Sequence, residues 1–453
     1  MKTPLLGYWK TGVIVWASVV IQPFAQENAG IINLLSLPEY AGVAIPDYIT
    51  RDNIPENNPV TDMGATLGRV LFYDVRLSKD GTISCSSCHK QEHAFGDTAV
   101  ASVGVAGTTG RHSMRLVNIR YAEEPTTFWD ERAATLEQQT TQPIRDHIEM
   151  GFSGQDGDPG FEDLLSRLSS VAEYGILFTA VYGDSEITES RIQMAISQFV
   201  RSIQSFDSRY DEGRKLVEND NVDFPNFSET ENLGKRLYIS GPANGAACLK
   251  CHRPPEFDID PNSRSNGVIG SLGGGSDLTN TRSPTLRDLV GPTGLPNGPF
   301  MHDGSLQSLN DVIDHYSNVP DGNRDVDPRV RGQQLNLSAS DKLAVVAFLK
   351  TLTGSSIYTD KKWSDPFSES GELTLLTMDA DGLDISRQDI GGVDSIRIRA
   401  TVVPSIPHIL ESSTDLKVWN REQAEVTPGG ELDITMPMPD NEGPMFYRLV
   451  TDI

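Results

Sequence analysis

The stretch ISCSSCHKQEHAF (residues 83–95) holds Cys85, Cys88 and His89 in the spacing C-x-x-C-H, with a second histidine, His93, four positions on. Cysteines three positions apart lie about one helical turn from each other, so their sulfurs point the same way. They can form thioethers with the two vinyl groups of one porphyrin. The next residue, His89, then stands under the ring as an iron ligand. The spacing recurs in AACLKCHRPPEF (residues 246–257) as Cys248, Cys251 and His252, and these two motifs hold all four cysteines of the chain. Disulfides, C-x-x-C redox pairs or a Cys/His zinc site are the alternatives. Neither a redox pair nor zinc requires a histidine directly after the second cysteine, and zinc would need half-motifs joined across about 160 residues. Two covalently bound haem c groups are the expectation. His93 would stack on the same side of the ring as His89, so it is not expected as the opposite ligand.

Covalent attachment of this kind takes place outside the cytoplasm, and the N-terminus agrees. Lys2 and Lys10 precede the apolar run VIVWASVVI (residues 13–21), followed by QPFAQEN. This reads as a signal peptide, residues 1–25, cleaved near Ala25. The run is shorter than the roughly 20 residues a spanning helix needs, which disfavours an uncleaved anchor, and no later segment is apolar enough to span a bilayer. The expected location is periplasmic. The chain has 453 residues, enough for two or three domains, with 38% hydrophobic and 22% charged residues. A net charge of −25 argues against nucleic acid and anionic lipid as partners. It suits solubility, and also a small basic electron donor.

Each motif is preceded by a related stretch, LGRVLFYDVRLS (residues 67–78) and LGKRLYISG (residues 233–241). The echo predicts duplication of a small helical haem domain. Ile192, Ala195, Ile196, Phe199, Val200 and Ile203 follow a helical apolar period. In LSASDKLAVVAFLKTLTG (residues 337–354), Ser338 and Asp341 form a capping pair and Gly354 is a stop signal. Short alternating strands then appear: ELTLLTMD, SIRIRATVV, HILESSTD, ELDITMP and MFYRLV. The expected fold is mainly α, two c-type cytochrome haem domains in tandem followed by a small all-β sandwich domain. The boundaries are 31–222 for the N-terminal haem domain, 223–355 for the C-terminal haem domain, 356–372 for a linker and 373–453 for the β-sandwich module, a spacer or docking element without chemistry.

The chain from about Leu67 to Gly354 resembles the bacterial di-haem cytochrome c peroxidases and the MauG-type di-haem enzymes. The matching blocks are LGRVLFYDVRLSKDGTISCSSCH, FWDERAATLEQQTTQPIRDHIEMG, RSPTLRDL, FMHDGSLQSLNDVIDHY and VVAFLKTLTG, in the family's order. The resemblance implies that the N-terminal haem is the peroxide site and the C-terminal haem the electron relay. It assigns Gln139, Pro143 and Glu149 to the active pocket and Trp129 to the region between the haems. A carboxylate such as Glu149 can accept and return the proton that O–O cleavage moves. Gln139 orients the substrate, Pro143 shapes the pocket without an amide donor, and the oxidisable indole of Trp129 passes electrons.

Two departures bear on the ligands. In the family's ordinary peroxidases a second histidine on a glycine-rich loop closes the active iron. Here that loop reads ASVGVAGTTGRHSMRLVN (residues 101–118), and the ligand position falls at or near Val105. The active iron is therefore expected to be open at rest, as in MauG-type enzymes. His112 takes a slot where the family has an Asn that helps hold calcium. Imidazole is a poor calcium ligand, so one calcium ion is left open, with carbonyls near Arg282 and Pro284 as remaining donors. At the second haem, Tyr316 stands where ordinary peroxidases have Met, with Met301 and His315 as rivals for the sixth position. The first reading is a peroxidase reducing hydrogen peroxide with electrons from a small cytochrome c or copper protein. The second is a MauG-type enzyme oxidising a side chain of a protein substrate. The third is a non-enzymatic electron carrier.

Overall fold

The computed structural model describes residues 6–8, 30–123, 125–379, 384–404, 406–426, 429–437 and 445–451. The expected signal peptide, apart from residues 6–8, lies outside them. The chain groups into two compact units, one of Glu39–Leu165 and Thr188–Asp365, the other of Met1–Pro38, Ser166–Ile187 and Pro366–Ile453. Both C-x-x-C-H motifs belong to the first unit. Residues 31–38 and 166–187, expected in the N-terminal haem domain, group with the second.

The first unit is built on two matching helix pairs. In one, Asp62–Tyr73 crosses Glu189–Ser202; in the other, Glu229–Ile239 crosses Ala339–Lys350. The glycine of each L-G echo sits at the crossing. A Cβ on Gly68 would lie 1.9 Å from Ala195 O and 2.8 Å from Phe199 Cβ. A Cβ on Gly234 would lie 1.9 Å from Ala344 O and 2.9 Å from Phe348 Cβ. The echo therefore marks a close backbone approach made twice, each against an Ala-x-x-x-Phe face.

Matching aromatic triads fill the space beside each crossing. Phe72, Phe95 and Phe199 have ring centroids 5.1–6.4 Å apart. Tyr238, Phe257 and Phe348 repeat them at 5.1–6.1 Å. Such pairs contribute about 0.5–1.5 kcal/mol each beyond their area. The basic residue after each glycine is also buried. Arg69 Nε donates to Ser364 O (2.6 Å), and Lys235 Nζ donates to Asp220 O (2.6 Å).

The periodic positions Ile192, Ala195, Ile196, Phe199, Val200 and Ile203 are all buried. The Ser338–Asp341 pair forms a capping box, with Ser338 N donating to the Asp341 carboxylate at 2.9 Å. That helix ends at Lys350, before Gly354, whose N–H donates to Asp288 Oδ1 (2.9 Å). Residues 356–365 do not behave as the expected linker. Trp363 is 2% exposed and its Nε1 donates to Ser202 O (3.2 Å), while its carbonyl accepts from Tyr73 OH (2.7 Å). A large aromatic with apolar surface to bury outweighs the polar residues around it.

In the second unit, Thr374–Leu376 pairs in parallel with Ile31–Asn33, apart from the remaining strands. Those form two antiparallel sheets. One orders Leu6–Tyr8, Met445–Thr451, Pro407–Ser413 and Asn420–Val426; the other orders Glu431–Pro437, Val393–Thr401 and Asp384–Ile390. Ile396, Ile398, Val402, Leu432 and Ile434 cluster with Leu410, Tyr447 and Leu449 in one core. Asp384–Ile390 and Asn420–Val426 were not expected as strands. Both are sheet edges rich in charged or polar residues, a composition that protects an unpaired edge and hides the alternation.

Candidate active site

The first cavity, about 480 Å³ in volume, is lined by Cys85, Cys88 and His89 together with Gln139, Pro143 and Glu149. Cys85–Cys88 is one turn of helix capped by Ser84, which carries both thiols to the same wall. The imidazole Nδ1 of His89 is 3.1 Å from Phe95 O. Donation there fixes the tautomer that leaves Nε2 for iron. Burial lowers the pKa of His89, so the ring is neutral, as a ligand must be. His93 is absent from the cavity wall.

Gln139 comes from the Leu136–Thr140 helix, whose N-cap Thr135 accepts from Gln138 N, and Pro143 opens the next turn, Gln142–Arg145. Glu149 follows on a loop held from both sides. Its N–H and that of Ile148 donate to Asp146 Oδ1 (3.0 and 2.8 Å). Its carbonyl accepts from Val105 N (3.0 Å), and Ile148 O accepts from Ala106 N (3.1 Å). Burial and the neighbouring Asp146 charge push the Glu149 carboxyl up to about 7, with Arg132 opposing. Val105 is absent from the cavity wall; it lies at the turn of the Val103–Gly104/Gly107–Thr108 hairpin, docked on the backbone of Glu149.

The second cavity is lined by Cys248, Cys251 and His252 together with Met301 and Tyr316. Tyr238 OH donates to His252 O (2.6 Å). Burial pushes the imidazole of His252 down to about 4, and the carbonyl of Phe257, the counterpart of Phe95, opposes the shift. Tyr316 is raised above the ordinary phenol range by burial. Asn266, which the sequence did not flag, donates through Nδ2 to Met301 Sδ (3.1 Å), and it opposes the rise of the Tyr316 pKa. His315 is absent from this wall, and its Nε2 is 2.9 Å from Asn266 O.

Trp129 lines both cavities. Its Nε1 donates to His112 O (2.7 Å), its carbonyl accepts from Thr281 N and Arg282 N (2.9 and 3.0 Å), and its ring lies edge-on to His302 at 6.2 Å. His112 also lines both, with Nδ1 engaged at Ala99 O (2.9 Å). Among the described residues no three His, Cys, Asp or Glu side chains converge as a metal site. The donor sets nevertheless fit haem. Each cavity has two thiols, free of disulfide partners, and the motif imidazole, besides the shared His112, within a partly apolar wall. No single described helix is long and apolar enough to cross a membrane; the short helices Phe161–Ser169 and Ala172–Tyr182 meet that measure only as a bent pair.

The family model of the di-haem cytochrome c peroxidases matches residues 62–219. The chain is 29% identical over 331 residues to the methylamine utilization protein MauG of Methylophilus methylotrophus, across 71% of this chain and 91% of that protein. It is 29% identical over 314 residues to the cytochrome c551 peroxidase of Nitrosomonas europaea, across 66% of this chain and 81% of that one. Among solved structures, a MauG-like protein associated with microbial copper homeostasis aligns with a TM-score of 0.58 and 30% identity, across 71% of this chain and 98% of that chain. Paired haem-attachment cavities and this coverage lead to one conclusion: the chain belongs to the di-haem cytochrome c peroxidase and MauG family, and is a haem-dependent oxidoreductase that acts on peroxide.

Proposed function

We propose that the chain is a periplasmic di-haem peroxidase that reduces hydrogen peroxide to water with electrons from a small cytochrome c or copper protein. The observation that carries this reading is the shared wall of the first cavity, where Glu149, Gln139 and Pro143 stand with Cys85, Cys88 and His89. When bound, the haem there supplies the iron at which peroxide is reduced. Glu149 takes the proton from one peroxide oxygen and returns it to the other, which leaves as water. The Gln139 amide orients peroxide by hydrogen bonds. Pro143 contributes no amide N–H to compete for it. Two electrons and two protons complete the conversion of one peroxide to two waters. Trp129, in both walls, is the oxidisable side chain between the cavities.

Steady-state assay with a reduced small cytochrome tests the reading; rapid peroxide-dependent oxidation of the donor is expected. Negligible turnover, together with a long-lived oxidised species after peroxide addition, overturns it. That outcome supports the second reading, MauG-type oxidation of a side chain on a protein substrate. The specific observation favouring the second is Tyr316 in the wall of the other cavity, with Val105 in the loop where the family's ordinary peroxidases carry a closing histidine. Tyr316 is the proposed sixth ligand of the second haem, with Met301 as its rival on the same wall. Calcium enters only through main-chain carbonyls near Arg282 and Pro284. The two sheets around Ile398 and Leu410 are read as a β-sandwich module that carries no chemistry.

A further inference from the structure

Two guanidinium groups, Arg115 and Arg282, line both cavities. Each has a buried nitrogen with no hydrogen-bond partner, Nε of Arg115 and Nη1 of Arg282. The other contacts do not satisfy them. Arg115 Nη2 donates to Thr285 O at 3.1 Å. Arg282 Nη2 lies 3.5 Å from Asp258 Oδ1, and the Arg282 side chain is 6% exposed. An unmade hydrogen bond on a buried cation is among the costlier defects in a folded protein.

Most carboxylate oxygens nearby are already engaged; Asp288 Oδ2 is itself buried without a hydrogen-bond partner, and Asp258 faces Arg282 at 3.5 Å. Asp277 pairs with Arg111 (2.8 Å) and Asp327 with Arg329 (2.7 Å). Asp288 accepts from Gly354 N (2.9 Å) and Tyr358 OH (3.0 Å). Burial pushes Arg115 down to about 10, opposed by Asp288 and Tyr358, so it stays charged at neutral pH. Each guanidinium on the shared wall therefore keeps an unused N–H donor for an anionic group. Haem brings such anions, because its two propionate side chains end in carboxylates, and guanidinium binds carboxylate through charge-assisted hydrogen bonds.

We propose that Arg115 and Arg282 hold propionate carboxylates of both haems and, being common to both cavities, set the two reduction potentials together. A fixed positive charge beside a haem favours its reduced state, so losing one lowers the potential. Losing it also raises the propionate pKa and makes the potential depend on pH.

The test is spectroelectrochemical titration of the holoprotein and its Arg282→Gln, Arg115→Gln and Arg282→Lys variants, with two haems per chain verified first. Each Gln variant is expected to lower both midpoint potentials and to steepen their pH dependence, while Arg282→Lys keeps the wild-type values. Should Arg282→Gln fail to take up haem, Arg115→Gln and Arg282→Lys are judged by the same criteria. Potentials that stay put in the Gln variants, or that move for one haem alone, overturn the proposal. So does a Lys variant displaced as far as Gln, which would mean packing rather than charge.

Discussion

If Glu149 carries the peroxide proton, its ionisation controls activity. Its carboxyl titrates at about 7, raised first by burial and next by Asp146. Proton acceptance needs the carboxylate, which makes up about 10% of the population at pH 6 and about 90% at pH 8. The value of kcat/KM for peroxide should therefore rise roughly tenfold across that interval and then level off, since this parameter reports the free enzyme. The charged groups acting on Glu149 make the argument directional. Asp146→Asn removes a raising charge but keeps an oxygen for the Ile148 and Glu149 N–H groups, so the midpoint moves to lower pH. Arg132→Gln removes the opposing charge and moves it to higher pH. Cys85, a thioether in the haem-loaded enzyme, adds no titration in this range. Glu149→Gln should abolish the limb and reduce kcat/KM by at least about a hundredfold. Stopped-flow or steady-state kinetics from pH 5.5 to 8.5 reads all three variants. An unchanged limb in Glu149→Gln, or shifts of the same sign in Asp146→Asn and Arg132→Gln, refutes the assignment.

Gly104→Val should lower peroxide turnover about tenfold or more without altering the second haem's spectrum, because its Cβ would lie 2.2 Å from Ile148 O and displace the Glu149 loop; Gly241→Ala, with open space around it and outside both cavity walls, should be silent. Tyr316→Phe should change the optical and paramagnetic resonance spectra of the second haem alone; if only Met301→Leu does so, Met301 is the ligand. Gly68→Ala and Gly234→Ala should each destabilise the holoprotein by about 1–3 kcal/mol or more in thermal unfolding, since backbone cannot yield to a Cβ at 1.9 Å. Wild-type melting in both would contradict the close crossings.

Much of the helical unit was legible because its signals are local. The C-x-x-C-H motifs, the L-G echo, the apolar period from Ile192 and the Ser338–Asp341 cap each depend on residues within one element. Trp363 was misplaced in a linker because its partners, Ser202 and Tyr73, are more than 160 positions away. The two edge strands were hidden by charges that protect them. Arg115 and Arg282 went unnoticed as cofactor residues because a guanidinium looks like any surface charge until both cavities are seen to share it. One signal was available: Phe follows His89 by six positions and His252 by five, and Phe95 O and Phe257 O are the carbonyls facing the two imidazoles.

The duplicated scaffold explains why the ligand question could not be answered from the motif. Both halves use the same glycine crossing and the same aromatic triad, so the scaffold behind the two attachment motifs is alike, although only His89 Nδ1 reaches its phenylalanine carbonyl within hydrogen-bond distance. What differs lies in loops and in the element after the His302 turn. One half places Glu149 in its cavity, and docks on that residue's backbone the hairpin in which Val105 takes the place of the histidine of ordinary peroxidases. The other places Tyr316 and Met301, the latter bonded by Asn266. Loops tolerate such divergence because they are not committed to the helix crossings. On this reading, replacing Val105 with histidine should not by itself close the first cavity. Val105 is held by its backbone bond to Glu149 and does not line the wall, so the hairpin would have to leave Glu149 before a ligand there could reach iron. A Val105→His variant that nevertheless becomes fully low-spin at rest would show that the hairpin detaches readily, and that Glu149 is positioned by something other than this contact.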